Sequence, residues 1–236
     1  MHDLPDLTGA TIAFDLDGTV VDTAPDLVGT LNTVLGEEGL PALPMDAVRM
    51  MIGRGARVML ERGFAAAGEP LEGWRSDALM ERFLEIYLDR IARESMPFPG
   101  VAEALDHLRS AGARLSVCTN KPTNLSIALL DALDLSRRFE AIVGRDTAPA
   151  AKPDARHLFA AVEQAGGHPG RALLVGDSET DISTARNAGL PVVAVTFGYT
   201  EVPCADLNPD ALIDSFGELP AAAARLLGKN GGCDRD

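Results

Sequence analysis

FDLDGTVVDT, residues 14–23, closes the apolar run ATIAFD (10–15) with two aspartates one residue apart and then turns on a glycine. Like charges that close disfavour each other's ionised form and raise the cost of burial. The pair therefore implies a cation to hold or a proton to move. The run before it reads as a buried strand, and four more of the same kind follow: ARLSVC (113–118), AIVG (141–144), RALLVG (171–176) and PVVAVT (191–196). Helical patterns separate them at 101–112, 123–135 and 153–166. This alternation predicts an α/β fold, a doubly wound parallel sheet with helices on both faces. ALI (211–213) is expected to add an edge strand before a closing helix at about 215–227, and 229–236 to form a frayed tail.

One interval breaks the alternation. Between Asp22 and MPFPG (96–100), VRMMIGRGARVMLERGF and WRSDALMERFLEIYLDRIARE carry apolar residues at helical spacing, with no convincing strand. The expected organisation is an α/β core from 1–21 and 96–228, with an inserted all-helical cap domain at 22–95. The insert leaves after the first strand and returns before the second. It is thus placed over the carboxyl edge, where open α/β sheets bind ligands. A lid is the reading that follows.

Composition narrows the partners. Lys and Arg total 21 against 35 Asp and Glu, a formal charge of −14 at pH 7, which argues against nucleic acid or an anionic membrane surface. A local cationic pocket still permits a small anionic substrate. The three cysteines, Cys118, Cys204 and Cys233, show no metal-like spacing, consistent with a reducing compartment. No signal peptide or stretch of membrane-spanning length is visible, and the expected location is cytoplasmic.

If the strands are right, the polar residues at their carboxyl ends converge. Asp15 and Asp17 end the first strand and Thr119 and Asn120 follow the second. Lys152 begins the helix after the third, and GDSETD (176–181) follows the fourth. Aspartates with little His or Cys make a hard, oxygen-rich site that suits Mg²⁺. Beside a lysine and backbone N–H groups, such a site suits phosphoryl transfer. One aspartate could be the nucleophile and the other the acid. Gly18 permits the tight turn that brings backbone amides close to a phosphate.

DLDGT (15–19), SVCTN (116–120), Lys152 in AAKPD and GDSETD (176–181) resemble the four ordered motifs of the haloacid dehalogenase superfamily. FDLDGTVVDTAPDL, MIGRGA, FPGV, CTNKP and LLVGDSETDISTARNAG resemble in particular the bacterial phosphoglycolate phosphatases, so the likeness extends into the cap. The resemblance implies a Mg²⁺-dependent phosphatase acting through an aspartyl-phosphate, with 2-phosphoglycolate as substrate. It implies Asp15 as nucleophile and metal ligand, and Asp17 as general acid then base with its carbonyl on Mg²⁺. Thr119 and the Asn120 amide would hold the phosphate, Lys152 would screen Asp15, and Asp177 would complete the metal site. Asp181 would be a ligand or a support to the ligands.

Plainer readings stand beside these. Thr119 alone could cap the next helix, and Asp181 could merely favour the start of its own. Lysine is scarce, only Lys121, Lys152 and Lys229 against eighteen arginines, so Lys152 is less easily incidental. Cys118 lacks the arginine six positions on that a thiol phosphatase needs, since position 124 is Asn124, and reads as a small buried residue. His2, His107, His157 and His168 lack ligand spacing. Arg49, Arg54 and Arg57 form a basic group in the cap, and Arg54, in a GRG turn, could face the crevice and bind a substrate carboxylate. A β-phosphoglucomutase-like mutase, a pyrophosphatase or a broad sugar phosphatase fits the same core. A non-enzymatic binding protein would be expected to lose Asp15, Asp17 or Lys152, and all three are present.

Overall fold

The computed structural model describes residues 6–52 and 55–228. Its main sheet has six strands: β1 (Thr11–Phe14), β4 (Arg114–Thr119), β5 (Ala141–Gly144), β6 (Ala172–Gly176), β7 (Val192–Val195) and β8 (Ala211–Ile213). They are ordered β5-β4-β1-β6-β7-β8, and every pairing is parallel. β1 lies between β4 and β6, which explains why all four of its residues are buried. The sequence reversal on either side of β1 opens a crevice at the carboxyl edge beside Asp15.

Side chains alternate across the sheet with a period of two. Ile12 and Phe14 pack with α5 (Val101–Ser110), α6 (Thr123–Ala132) and α9 (Leu219–Leu227) in one apolar cluster. Ala13 packs on the opposite face with α7 (Ala155–Gln164) and α8 (Glu179–Ala188). Local chemistry fixes the helix starts near the crevice. Asp154 accepts a hydrogen bond from Arg156 N to cap α7, and Ser178 with Asp181 forms a capping box on α8.

The helical interval contains α1 (Ala24–Glu37), α2 (Met45–Arg49), α3 (Ala56–Ala66) and α4 (Gly73–Asp89). These enclose an apolar cluster of their own, which reaches the sheet domain through Leu125 and Tyr199. The helical pattern read through 48–64 is split between α2 and α3 at the GRG segment, where Gly55 takes φ +91°. Gly53 and Arg54 lie outside the described residues. Two strands were not foreseen. β2 (Val21–Asp22) and β3 (Met96–Pro97) pair antiparallel where the chain leaves and rejoins the sheet domain. Two residues apiece are too few to show an alternating pattern.

Asp26, fully buried in the first turn of α1, fastens this neck. Its Oδ2 accepts from Glu94 N (2.9 Å), Ser95 N (2.8 Å) and Ser95 Oγ (2.7 Å). The outgoing and returning chains are thus joined at one carboxylate.

His157 on α7 is buried with Nε2 3.1 Å from the Val143 carbonyl and Nδ1 unpartnered. Burial pushes its pKa down to about 4 from 6.5. The unfolded chain then binds more protons than the fold between those values, so stability is full above pH 6.5 and is lost as pH falls towards 4. The loss reaches about 3 kcal/mol, or roughly 6–12 °C in Tm for a chain of this size. His157→Gln should flatten the pH dependence of Tm between 7 and 4. An equal slope in both proteins would show that other groups carry it.

Candidate active site

The carboxyl ends of three adjacent strands supply most of the site. Asp15 lies one residue beyond β1, Thr119 is the last residue of β4, and Asp177 follows β6 directly. Lys152, three residues before α7, sends its ammonium between them, 2.9 Å from Asp15 Oδ1 and 2.6 Å from Asp181 Oδ1. Burial alone would push that ammonium's pKa down, but Asp15 and Asp181 hold it above its ordinary value. Lys152 is a buried counter-ion to two carboxylates.

Asp15, Asp177 and Asp181 each offer a carboxylate oxygen, all within 4.8 Å of one another. Burial, with the neighbouring carboxylates adding to it, raises the pKa of both Asp15 and Asp177 above the usual carboxylate range. The site carries more negative charge than Lys152 can neutralise. A divalent cation fits this donor set, which is oxygen only and short of positive charge. Asp181 differs from the other two, because its Oδ1 is taken by Lys152 and its Oδ2 by Ser178 Oγ at 2.6 Å. Asp177 is oriented by Thr19 Oγ1 (3.0 Å) and Tyr199 N (2.6 Å).

Gly18 makes the turn after Asp17 possible. Its φ is +84°, and a Cβ there would come 2.5 Å from Asp177 Oδ2. The Gly18 N–H donates to Val21 O at 2.9 Å, so its own amide closes the turn.

Asn120 serves Lys152 through both ends of its side-chain amide. Nδ2 donates to Lys152 O (3.1 Å), and Oδ1 accepts from Lys152 N (2.9 Å). Thr119 Oγ1 accepts from Lys121 N (3.2 Å), while Pro122 occupies the N-cap of α6, so Thr119 does not cap that helix. Cys118 is fully buried and its thiol is pushed up to about 12 by burial, which keeps it protonated.

A cavity of about 410 Å³ lies between this edge and helices α3 and α4. Asp15, Asp17, Thr119, Asn120, Lys121 and Lys152 face it from the sheet domain. Met59, Met80, Phe83 and Tyr87 face it from the helical insert. Arg57 also lines it but is engaged by Asp77 (2.8 Å) and Ser76 Oγ (3.1 Å). Arg49 stacks over the Tyr199 ring, 5.0 Å from its centroid, near the neck.

Two residues escaped the sequence reading. Lys121 Nζ contacts both oxygens of Asp17 (3.0 and 3.2 Å) and donates to Tyr87 OH at 2.8 Å. The scarcity that singled out Lys152 applied equally to Lys121. The chain has only two tyrosines, and the other, Tyr199, accepts from Ala24 N (3.0 Å) and donates to Asp22 at the neck.

Comparison with known proteins agrees with this geometry. Residues 12–195 match the family model of haloacid dehalogenase-like hydrolases. A phosphoglycolate phosphatase of Caulobacter vibrioides is 61% identical over 227 residues, covering 96% of each chain. One from Agrobacterium fabrum is 48% identical, over 92% of this chain and 93% of that protein. The crystal structure of a predicted phosphoglycolate phosphatase from Haemophilus somnus superposes with a TM-score of 0.83 at 32% identity, covering 90% of this chain and 96% of that one. A parallel sheet with aspartates after its first and fourth sequence-ordered strands, a buried lysine between them and a family match over residues 12–195 lead to one assignment: this chain belongs to the haloacid dehalogenase-like hydrolase family.

Proposed function

We propose that this hydrolase is a Mg²⁺-dependent phosphatase that cleaves 2-phosphoglycolate to glycolate and phosphate. The observation that carries the reading is the cluster of Asp15, Asp17 and Lys152 on one cavity under the helical insert. The relative at 61% identity is named for this substrate, and the cavity volume suits a small monoester.

Asp15 is the nucleophile. One of its carboxylate oxygens attacks phosphorus, the bond from phosphorus to the leaving oxygen breaks, and Asp17 gives that oxygen a proton. Asp17 then takes a proton from water as the water attacks phosphorus, and the bond to Asp15 breaks. Lys152 screens Asp15 from the incoming phosphate oxygens. Thr119 and the Asn120 amide hold the phosphate, while the Asn120 side chain bonds the Lys152 backbone. Asp15, Asp177 and the Asp17 carbonyl would hold Mg²⁺, which would neutralise charge on the phosphate. Asp181, its oxygens engaged by Lys152 and Ser178, supports that site by orientation.

The segment 22–95 acts as a cap that closes over the substrate and excludes water. Arg54, in the MIGRGA segment, is proposed as a substrate contact from that cap, though it lies outside the described residues. Cytoplasmic location accords with two buried free thiols, Cys118 and Cys204, and no described helix is long and apolar enough to cross a membrane.

Phosphate release with and without Mg²⁺ tests the reading. The substrates are 2-phosphoglycolate, glucose 1-phosphate, glucose 6-phosphate, 3-phosphoglycerate and pyrophosphate. The expected kcat/KM for phosphoglycolate is at least about tenfold above the rest, about 1.4 kcal/mol of discrimination, and activity is lost with EDTA. A flat profile would remove the substrate and leave the phosphatase. A preference for glucose 1-phosphate would favour a sugar phosphatase.

A further inference from the structure

Lys121 is 7% exposed and Tyr87 1% exposed, yet both line the cavity. They come from different parts of the molecule, Lys121 from the loop after β4 and Tyr87 from α4 of the cap. Besides their hydrogen bond, the Lys121 Nζ sits 4.3 Å from the centroid of the Tyr87 ring.

Their donors are not used up. An ammonium has three N–H groups. The two Asp17 oxygens, at 3.0 and 3.2 Å, belong to one carboxylate and share one N–H, and the Tyr87 oxygen takes a second, which leaves a third. Because Tyr87 OH accepts from Lys121, its own hydrogen has no acceptor among the described residues. Burial raises the Tyr87 pKa to about 12, so the phenol keeps that hydrogen. Two donors therefore face the cavity beside Asp17.

We infer that Tyr87 and Lys121 together form the seat for a carboxylate carried by the leaving group. This deepens the function proposed above and rests on it. Asp17 is the group that meets the leaving oxygen, so any group reading a leaving group this short must lie next to Asp17. In a two-carbon leaving group the carboxyl carbon is two bonds from that oxygen. Lys121, already on Asp17, meets the requirement. Arg57 is engaged by Asp77 and Ser76 within the cap, and Arg145 is exposed at the cavity rim. A carboxylate between the Tyr87 O–H and the Lys121 ammonium would also tie α4 to the β4 loop. The seat is complete only when cap and core are together, so an acidic leaving group favours the closed arrangement.

The test is the ratio of kcat/KM for 2-phosphoglycolate to that for 2-hydroxyethyl phosphate, a monoester of the same length without the carboxylate. It is measured in the wild type, Tyr87→Phe and Lys121→Met. The wild-type ratio should exceed ten. Tyr87→Phe should lower the ratio about tenfold, chiefly through KM for phosphoglycolate, and Lys121→Met should lower it further, whatever the absolute losses. The inhibition constant of glycolate should rise in parallel. If both variants slow the two esters by one common factor, the pair only positions Asp17 and the inference fails while the substrate stands. A wild-type ratio near one would remove the substrate reading and the inference together. Should Lys121→Met not fold, Tyr87→Phe, which deletes only the hydroxyl from a ring that stays packed, decides the matter alone.

Discussion

Asp15→Asn is expected to abolish phosphate release, by at least about a thousandfold in kcat, and to leave the fold as stable as before or more so. The first half follows from the proposed chemistry, since an amide cannot form the acyl phosphate, and loss of a nucleophile costs several powers of ten. The second half follows from the electrostatics. Burial chiefly, and the Asp181 and Asp17 charges after it, raise the Asp15 pKa, so its ionised form is disfavoured in the metal-free fold. An asparagine removes that charge, and Lys152 keeps Asp181 as a partner at 2.6 Å. The pairing of lost activity with an unchanged or higher Tm in EDTA separates a catalytic role from a structural one. Activity within tenfold of the wild type would displace Asp15 as nucleophile. A large fall in Tm would mean that its charge is needed to hold Lys152.

The fold was legible because buried parallel strands and amphipathic helices write different periods into the chain. ATIAFD, ARLSVC and RALLVG are short continuous apolar runs, and each became a central strand covered on both faces. The closing helix begins later than its pattern, at Leu219, because residues Phe216–Glu218 form a 3₁₀ turn that packs Phe216 into the core. The two-residue ribbon of β2 and β3 was illegible, since it is held by its place at the neck and by Asp26 rather than by any alternation of its own.

The candidate site was legible where the chemistry follows strand ends. Asp15, Thr119 and Asp177 each sit at the carboxyl end of a strand or one residue past it, so predicting the strands places the residues. What the chain could not announce were contacts made by side chains that reach across. Lys121 finds Asp17 over a separation of 104 residues, and Tyr87 reaches it from α4. The Asn120 side chain likewise reaches 32 residues along the chain to the Lys152 backbone. Such pairings depend on the packing of loops against one another, and local periodicity carries no information about that.

Lys152→Met is expected to be the most damaging single change in the site, because two terms fail at once. The ammonium lies between Asp15 and Asp181, and its 6% exposure leaves little water to replace it. Deleting one member of a buried ion cluster while leaving the rest costs about 3–5 kcal/mol. That is a large share of the 5–15 kcal/mol that holds a typical domain. In EDTA the Tm should fall by roughly 6–20 °C. The remaining carboxylates, Asp15, Asp177 and Asp181, would face one another without a counter-ion. Mg²⁺ should therefore raise the Tm of Lys152→Met by more than it raises that of the wild type. It should not restore turnover, because the screening of Asp15 against phosphate oxygens comes from a point fixed by Asn120, which the metal ligands do not supply. Calorimetry with and without Mg²⁺, set beside phosphate release, reads both terms. An unchanged Tm in EDTA would mean that the three carboxylates neutralise by binding protons and do not need Lys152. Recovery of turnover on adding Mg²⁺ would reduce Lys152 to a structural counter-ion.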